Sequence, residues 1–144
     1  MPATPPPSLT SSTTYLLAKV GKRARGLLAE RLAAQGLRPW HLATLAALAD
    51  FGPHAQRDLA ERLAIHTSDM AKLLDELAGR DLLTRDRDPG DRRRVLVGIT
   101  PAGREALTAL TGAAESVQDT VLDPLTAEER TVLHGLLLRL HGGR

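Results

Sequence analysis

The chain has 144 residues, 42% of them apolar, with a single Phe, a single Trp and a single Tyr. That length suits one domain with a core of its own, and a core of Leu, Ala and Val favours helix over strand. The net charge is +2 and there is no cysteine. Nucleic acid is therefore permitted as a partner without being demanded, while disulfides, thiol catalysis, cysteine-based peroxide sensing and thiolate metal sites are excluded.

Residues 1–14 include Pro2, Pro5, Pro6 and Pro7 and little to bury, so a disordered tail is expected. The tail lacks the basic-then-apolar layout of a signal, and no apolar run reaches the length of a membrane span. A soluble cytoplasmic, nucleoid-associated protein without membrane contact is the expectation.

Between Tyr15 and Gln35 the positions Leu16, Leu17, Val20, Ala24, Leu27, Leu28 and Leu32 recur at steps of three and four, which predicts an amphipathic helix ending near Gly36. Lys19, Lys22, Arg23 and Arg25 crowd its other side. Pro39 suits the first turn of a second helix, Trp40 to Asp50, closed by Phe51-Gly52-Pro53. A short third helix follows from about Ala55 to Leu63, then a break at Ala64-Ile65-His66 and a fourth helix from Thr67 to about Arg80. Two short helices across a tight turn have helix-turn-helix spacing.

On the fourth helix Met70, Leu73, Leu74 and Leu77 share one arc, and Ser68, Lys72, Asp75 and Gly79 lie opposite. A helix entering a major groove needs small or polar residues early on its exposed face, which Ser68, Ala71 and Lys72 supply. Asp69 favours the positive end of the helix dipole or accepts from a cytosine amino group. Asp75 is expected to pair with a nearby Arg of the following hairpin.

That hairpin is written from Leu82 to Thr100: two strand-forming runs flank Asp88-Pro89-Gly90-Asp91, with Arg92, Arg93 and Arg94 on the far side. Thr100-Pro101 then reads as N-cap and first position of a fifth helix. Leu107, Leu110, Ala114, Val117 and Val121 form a narrow seam of coiled-coil type, broken at Pro124. Thr126-Ala127-Glu128-Glu129 is a capping box opening a last helix with Val132, Leu133, Leu136, Leu137 and Leu140. The seams at both chain ends exceed what one small domain covers, and an intertwined homodimer resolves this.

The fold class expected is mainly α with a small β-wing. Residues 36–101 form a winged helix-turn-helix domain, and residues 15–35 and 102–144 form a helical dimerisation domain drawn from both chain ends. This order resembles the MarR family of bacterial transcriptional regulators over nearly the whole chain after the tail. The most specific part is Arg87-Asp88-Pro89-Gly90-Asp91-Arg92-Arg93-Arg94 followed by Ile99-Thr100-Pro101-Ala102-Gly103, which resembles the family's R-x-P-x-D-R-R wing and the L-T-x-x-G opening its fifth helix.

The resemblance implies a homodimer on a pseudo-palindromic double-stranded DNA operator, usually a repressor released by a small aromatic or phenolic acid. By position, Thr67, Ser68, Asp69, Ala71 and Lys72 would read bases and phosphates, and one of Arg92, Arg93 and Arg94 would enter the minor groove. Thr67 stands where arginine is common and Asp69 where threonine is common, so the operator cannot be borrowed from relatives. Asp81 takes a usual glycine position, which Asp tolerates in a left-handed conformation. Independently, a planar, weakly hydrated guanidinium suits the negative potential of a narrow minor groove, and Asp88 and Asp91 are expected to hold a wing arginine in place. Tyr15, Trp40, His41 and Phe51 are the candidate wall of an effector site; the alternative is Trp40 in the core and His41 on the surface.

The other functional readings are a winged-helix module for protein contacts without DNA reading, and an enzyme. For the latter, His41, His54, His66, His134 and His141 are scattered without metal-ligand spacing, and no nucleophile–base pair or phosphate loop stands out. No cofactor, metal or catalytic residue is expected.

Overall fold

The computed structural model describes residues 3–142. The expectations for residues 1–2 of the tail and 143–144 of the last helix lie outside that range. The elements run α1 (Pro7–Thr10), α2 (Thr13–Ala33), α3 (Pro39–Phe51), β1 (His54–Ala55), α4 (Gln56–Arg62), α5 (Thr67–Ala78), β2 (Leu83–Asp88), β3 (Asp91–Ile99), α6 (Pro101–Leu122) and α7 (Ala127–Gly142). Helices with one small antiparallel sheet are the mainly α architecture with a β-wing.

Part of the stretch expected to be a disordered tail is helical. Pro7 opens the one-turn helix α1, and α2 starts at Thr13. Pro is compatible with the first helical positions, where its missing N–H costs nothing, and Ser12 Oγ accepts from the Tyr15 N–H at 3.3 Å.

The chain divides into two compact units, residues 3–28 with 115–142, and residues 29–114. The second is wider than the expected 36–101 because the end of α2 and the first half of α6 belong to it. Its core gathers Leu32, Leu37, Leu45, Leu48, Leu59, Met70, Leu74, Leu77, Val97 and Leu110, all buried. In the first unit Val117 is buried, whereas Leu16, Leu17 and Val20 of α2 and Val132, Leu136, Leu137, Leu138 and Leu140 of α7 are exposed.

Three helices of the second unit end in the same way, with a left-handed residue and paired backbone bonds reaching back into the last turn. For α2 the left-handed residue is Gly36 (φ 71°), with Gly36 N to Ala33 O at 2.9 Å and Leu37 N to Leu32 O at 3.2 Å. For α4 it is Ala64 (φ 54°), with Ala64 N to Glu61 O at 3.2 Å and Ile65 N to Ala60 O at 2.9 Å. For α5 it is Asp81 (φ 59°), with Asp81 N to Ala78 O and Leu82 N to Leu77 O, both at 3.0 Å. A left-handed conformation costs a non-glycine residue about 1–2 kcal/mol, less for Asp than for Ala. Ala64→Gly, in the helix-turn-helix turn, is therefore expected to raise stability by about 1 kcal/mol, after allowing for the greater unfolded freedom of glycine. Thermal unfolding checks this; a lowered midpoint would remove the strain argument.

The sheet has the order β1-β3-β2, all antiparallel. The hairpin pairs Leu83 with Ile99 and Arg87 with Val95, and the register shifts beyond Arg87 at the tip. Sequence alone gives no sign of β1: two residues, His54 and Ala55, pair with Val97 and Leu96 and carry no periodicity. Thr100 closes the base of the hairpin, its hydroxyl donating to Asp81 O at 2.7 Å and accepting from the Gly103 N–H at 2.9 Å.

Candidate nucleic-acid interface

The helix α5 is built as an amphipathic cylinder. Met70, Leu73, Leu74 and Leu77 are buried, and Thr67, Ser68, Asp69 and Lys72 are exposed, with Ala71 half-buried. Its N-cap is His66, whose Nδ1 accepts from the Ser68 N–H at 3.2 Å and lies 2.7 Å from Ser68 Oγ. His is not among the favoured N-cap residues, so sequence gave no cue to this role. Asp69 sits in the first turn, where the helix dipole favours an anion.

The wing places its three arginines differently. Arg94 pairs with Asp58 of α4 at 2.9 Å. The Arg92 carbonyl accepts from Arg87 Nη1 across the hairpin at 2.8 Å. Arg93 projects with its side chain 92% exposed, and Asp91 Oδ1 accepts from both its backbone N–H (3.0 Å) and its Nε (3.2 Å). Those two bonds, the backbone one foremost, hold the Asp91 carboxyl below its ordinary pKa. Asp88 differs from expectation: its Oδ1 accepts from the Gly90 N–H at 2.8 Å. It caps the turn and holds no arginine, because Asx side chains bond the backbone two residues on. Asp75 pairs with Arg85 of β2 at 2.5 Å.

Between α4, the start of α5 and the wing lies an open groove of about 800 Å³, lined among others by Gln56, Arg57, Thr67, Arg93 and Arg94. Arg57, exposed in the first turn of α4, is a cation of this face that sequence patterning did not single out.

Of the residues expected to wall an effector site, Trp40, His41 and Phe51 of α3 do not share one surface. Trp40 and Phe51 stand at opposite ends of α3, about 16 Å apart along its axis at 1.5 Å per residue. Trp40, half-exposed, lines a second cavity of about 330 Å³ against the helix-turn-helix turn and α5. Phe51 lies under the Arg62 guanidinium, 3.9 Å from its ring centroid. Tyr15 belongs to the first unit, with the Lys19 ammonium 5.5 Å from its ring centroid. His41 is 2% exposed and part of the core, so neither a ligand wall nor a surface position describes it.

His41 occupies the third position of α3, where its Nδ1 accepts from the Arg38 N–H at 2.9 Å. It thereby completes one half of a capping box in place of the usual Glu or Gln. Its Nε2 is 3.2 Å from Glu76 Oε2, an electrostatic contact without the alignment of a hydrogen bond. Burial, the largest effect, pushes the imidazole below its ordinary 6.5; Glu76 opposes this, and Arg38 and Arg80 add to it. The unfolded chain therefore takes up this proton first. Stability should be level above about pH 6.5 and decline as pH falls from there towards the folded pKa. Thermal midpoints of wild type and His41→Gln across that window check the sign; an equal decline in both would acquit His41.

The chain resembles known regulators over most of its length. The MarR family model matches residues 35–94. The HTH-type transcriptional repressor NicR of Pseudomonas putida is 29% identical over 94% of this chain and 85% of its own length. A probable transcriptional regulator of Pseudomonas aeruginosa superposes with a TM-score of 0.78 at 34% identity, over 92% of this chain and 98% of that one. BpsR of Bordetella bronchiseptica, whose DNA binding is regulated by 6-hydroxynicotinic acid, superposes with a TM-score of 0.77 at 26% identity, over 95% and 98%. These relatives are regulators, not enzymes, and no helix among the described residues is long and apolar enough to cross a membrane. On these matches, the chain belongs to the MarR family and is a DNA-binding transcriptional regulator.

Proposed function

We propose that the protein is a homodimeric repressor that reads a pseudo-palindromic operator and is released from it by a small aromatic acid. The observation that carries DNA reading is the pairing of a small, polar α5 face with one exposed, carboxylate-oriented arginine on the wing. In this reading Thr67, Ser68, Asp69, Ala71 and Lys72 meet the major groove, and Arg93 is the wing arginine that enters the minor groove. Arg92 and Arg94 contribute through charge.

The dimer is supported by the apolar side chains that α2 and α7 leave exposed, Leu16, Leu17, Val20, Leu136, Leu137 and Leu140 among them. Large apolar side chains left exposed along two helices are what an interaction site supplies. Repression is supported by the name of the Pseudomonas putida relative, and an aromatic acid by the 6-hydroxynicotinic acid that regulates BpsR.

Selection of duplexes from random-sequence DNA by the purified protein tests the reading, half-site spacing and symmetry together. Binding to the selected duplex should weaken steeply with salt, because several phosphates are neutralised. Lys72→Ala should flatten that salt dependence and weaken all sequences alike, whereas Ser68→Ala should alter which sequences are preferred. Identical preference profiles would remove α5 from its role. Sedimentation as a monomer at micromolar concentration would remove the dimer, and indifference of the complex to hydroxylated pyridine- and benzene-carboxylic acids would remove the effector class.

A further inference from the structure

The recognition helix is gripped at two adjacent residues from two directions. Asp75 and Glu76 leave the helix about 100° apart, the first paired with Arg85 of β2 and the second with Arg38 at the start of α3. Arg38 Nη2 donates to both Glu76 oxygens, at 2.8 and 2.9 Å. Glu76 Oε2 also faces His41 Nε2, and His41 Nδ1 is fixed by the Arg38 N–H. Guanidinium, carboxylate, imidazole and backbone amide thus close a ring of contacts across α3 and α5.

Beyond these pairs, Arg80, just past the end of α5, donates to Gln35 O and Gly36 O at 3.1 and 3.2 Å. Along the helix the hold comes from Met70, Leu73, Leu74 and Leu77. Apolar packing is non-directional; it keeps the helix on the core and does less to fix rotation about its axis. At a helix outer radius of about 5 Å, a rotation of about 20° carries a groove-facing side chain by roughly 2 Å. That exceeds the tolerance of a hydrogen bond to a base edge.

We infer that Glu76 is a positioning residue for DNA reading, fixing through Arg38 and His41 the rotational setting in which Ser68, Ala71 and Lys72 meet the bases. This rests on the reading of α5 as the DNA-reading helix. Electrostatics alone makes the opposite forecast. Removing an acidic charge near DNA strengthens binding to any duplex, so an effect confined to the preferred sequence separates orientation from charge.

The experiment uses the full chain and a duplex selected by the wild-type protein from random-sequence DNA. Affinities for that duplex and for a scrambled one are compared in wild type, Glu76→Gln, Arg38→Gln and the double variant, with thermal midpoints as a check on folding. Each single change should lower the selected-to-scrambled ratio by about tenfold, comparable to one mismatched base pair. The double variant should be no worse than either single one, because both break the same pair. Unchanged ratios in both single variants, or losses that multiply in the double, would overturn the inference. Failure of the wild type to select any duplex would instead strike the reading of α5. Should Glu76→Gln not fold, Arg38→Gln carries the comparison, since the Arg38 side chain is more than half exposed.

Discussion

Arg93→Ala is expected to weaken operator binding by about 2 kcal/mol, roughly thirtyfold, while leaving the thermal midpoint unchanged. The size follows from what the side chain has already given up before DNA arrives. Its guanidinium is held by Asp91 through Nε while the side chain stays 92% exposed, so less rotamer freedom is lost on insertion. Arg94→Ala should cost only a few-fold, because Arg94 is paired with Asp58 in the free protein and its pair is a surface one. Asp91→Ala should fall between them. Fluorescence anisotropy on the selected duplex ranks the three. If Arg94→Ala proved the costliest, the assignment of the inserting arginine would pass from Arg93 to Arg94.

Gly103→Ala is expected to lower stability by about 3 kcal/mol, a fall of about 10 °C in the thermal midpoint. A Cβ at this position would stand 2.0 Å from the Leu82 carbonyl oxygen and 2.7 Å from Ile99 Cγ1. The first obstacle is backbone and cannot swing aside. Two effects oppose each other, since Ala is the better helix former by about 1 kcal/mol. The measured sign therefore decides whether close approach or helix propensity governs the start of α6. Gly112, in the same helix with nothing near a would-be Cβ, is the control: Gly112→Ala should be stabilising.

These two sites show what was legible in the sequence. The wing and the opening of α6 were readable because local chemistry dictates them. Asp-Pro-Gly-Asp makes the turn and Thr100 caps α6; Gly103 was legible only as part of the family-like motif, and the approach of Leu82 that requires it is visible only in the structure. Asp81 was readable as left-handed only through the resemblance, which puts it at a usual glycine position, and the structure gives it φ 59°. The helices after α1 followed from apolar periodicity to within a few residues, and Thr126 and Glu129 bond reciprocally at 2.9 and 3.2 Å as a capping box does.

What was not legible depends on partners distant in the chain. Arg94 on Asp58 and Glu76 on Arg38 and His41 join residues that no local pattern links, whereas His66, whose partner Ser68 is local, was missed because His is not a favoured N-cap residue. Trp40, His41 and Phe51 were grouped with Tyr15 as an effector wall because aromatic residues are scarce here. Their burial and spacing on α3 separate them: one fills the core, one faces α5 and one stacks under Arg62. Asp88 was assigned to an arginine on charge alone, and the nearer backbone amide of Gly90 took it.

The two-residue strand β1 bears on the order in which the domain assembles. The hairpin β2–β3 closes across Pro89-Gly90, a local event of about microseconds. Pairing of His54 with Val97 must enclose α4, α5 and β2, and so meets the larger entropy of closing a long loop. The third strand therefore completes the sheet late in folding and is among the first pairings to open in local unfolding. Amide exchange at β1 would report that opening, and with it how firmly the base of the wing is anchored to the helix-turn-helix before DNA is met.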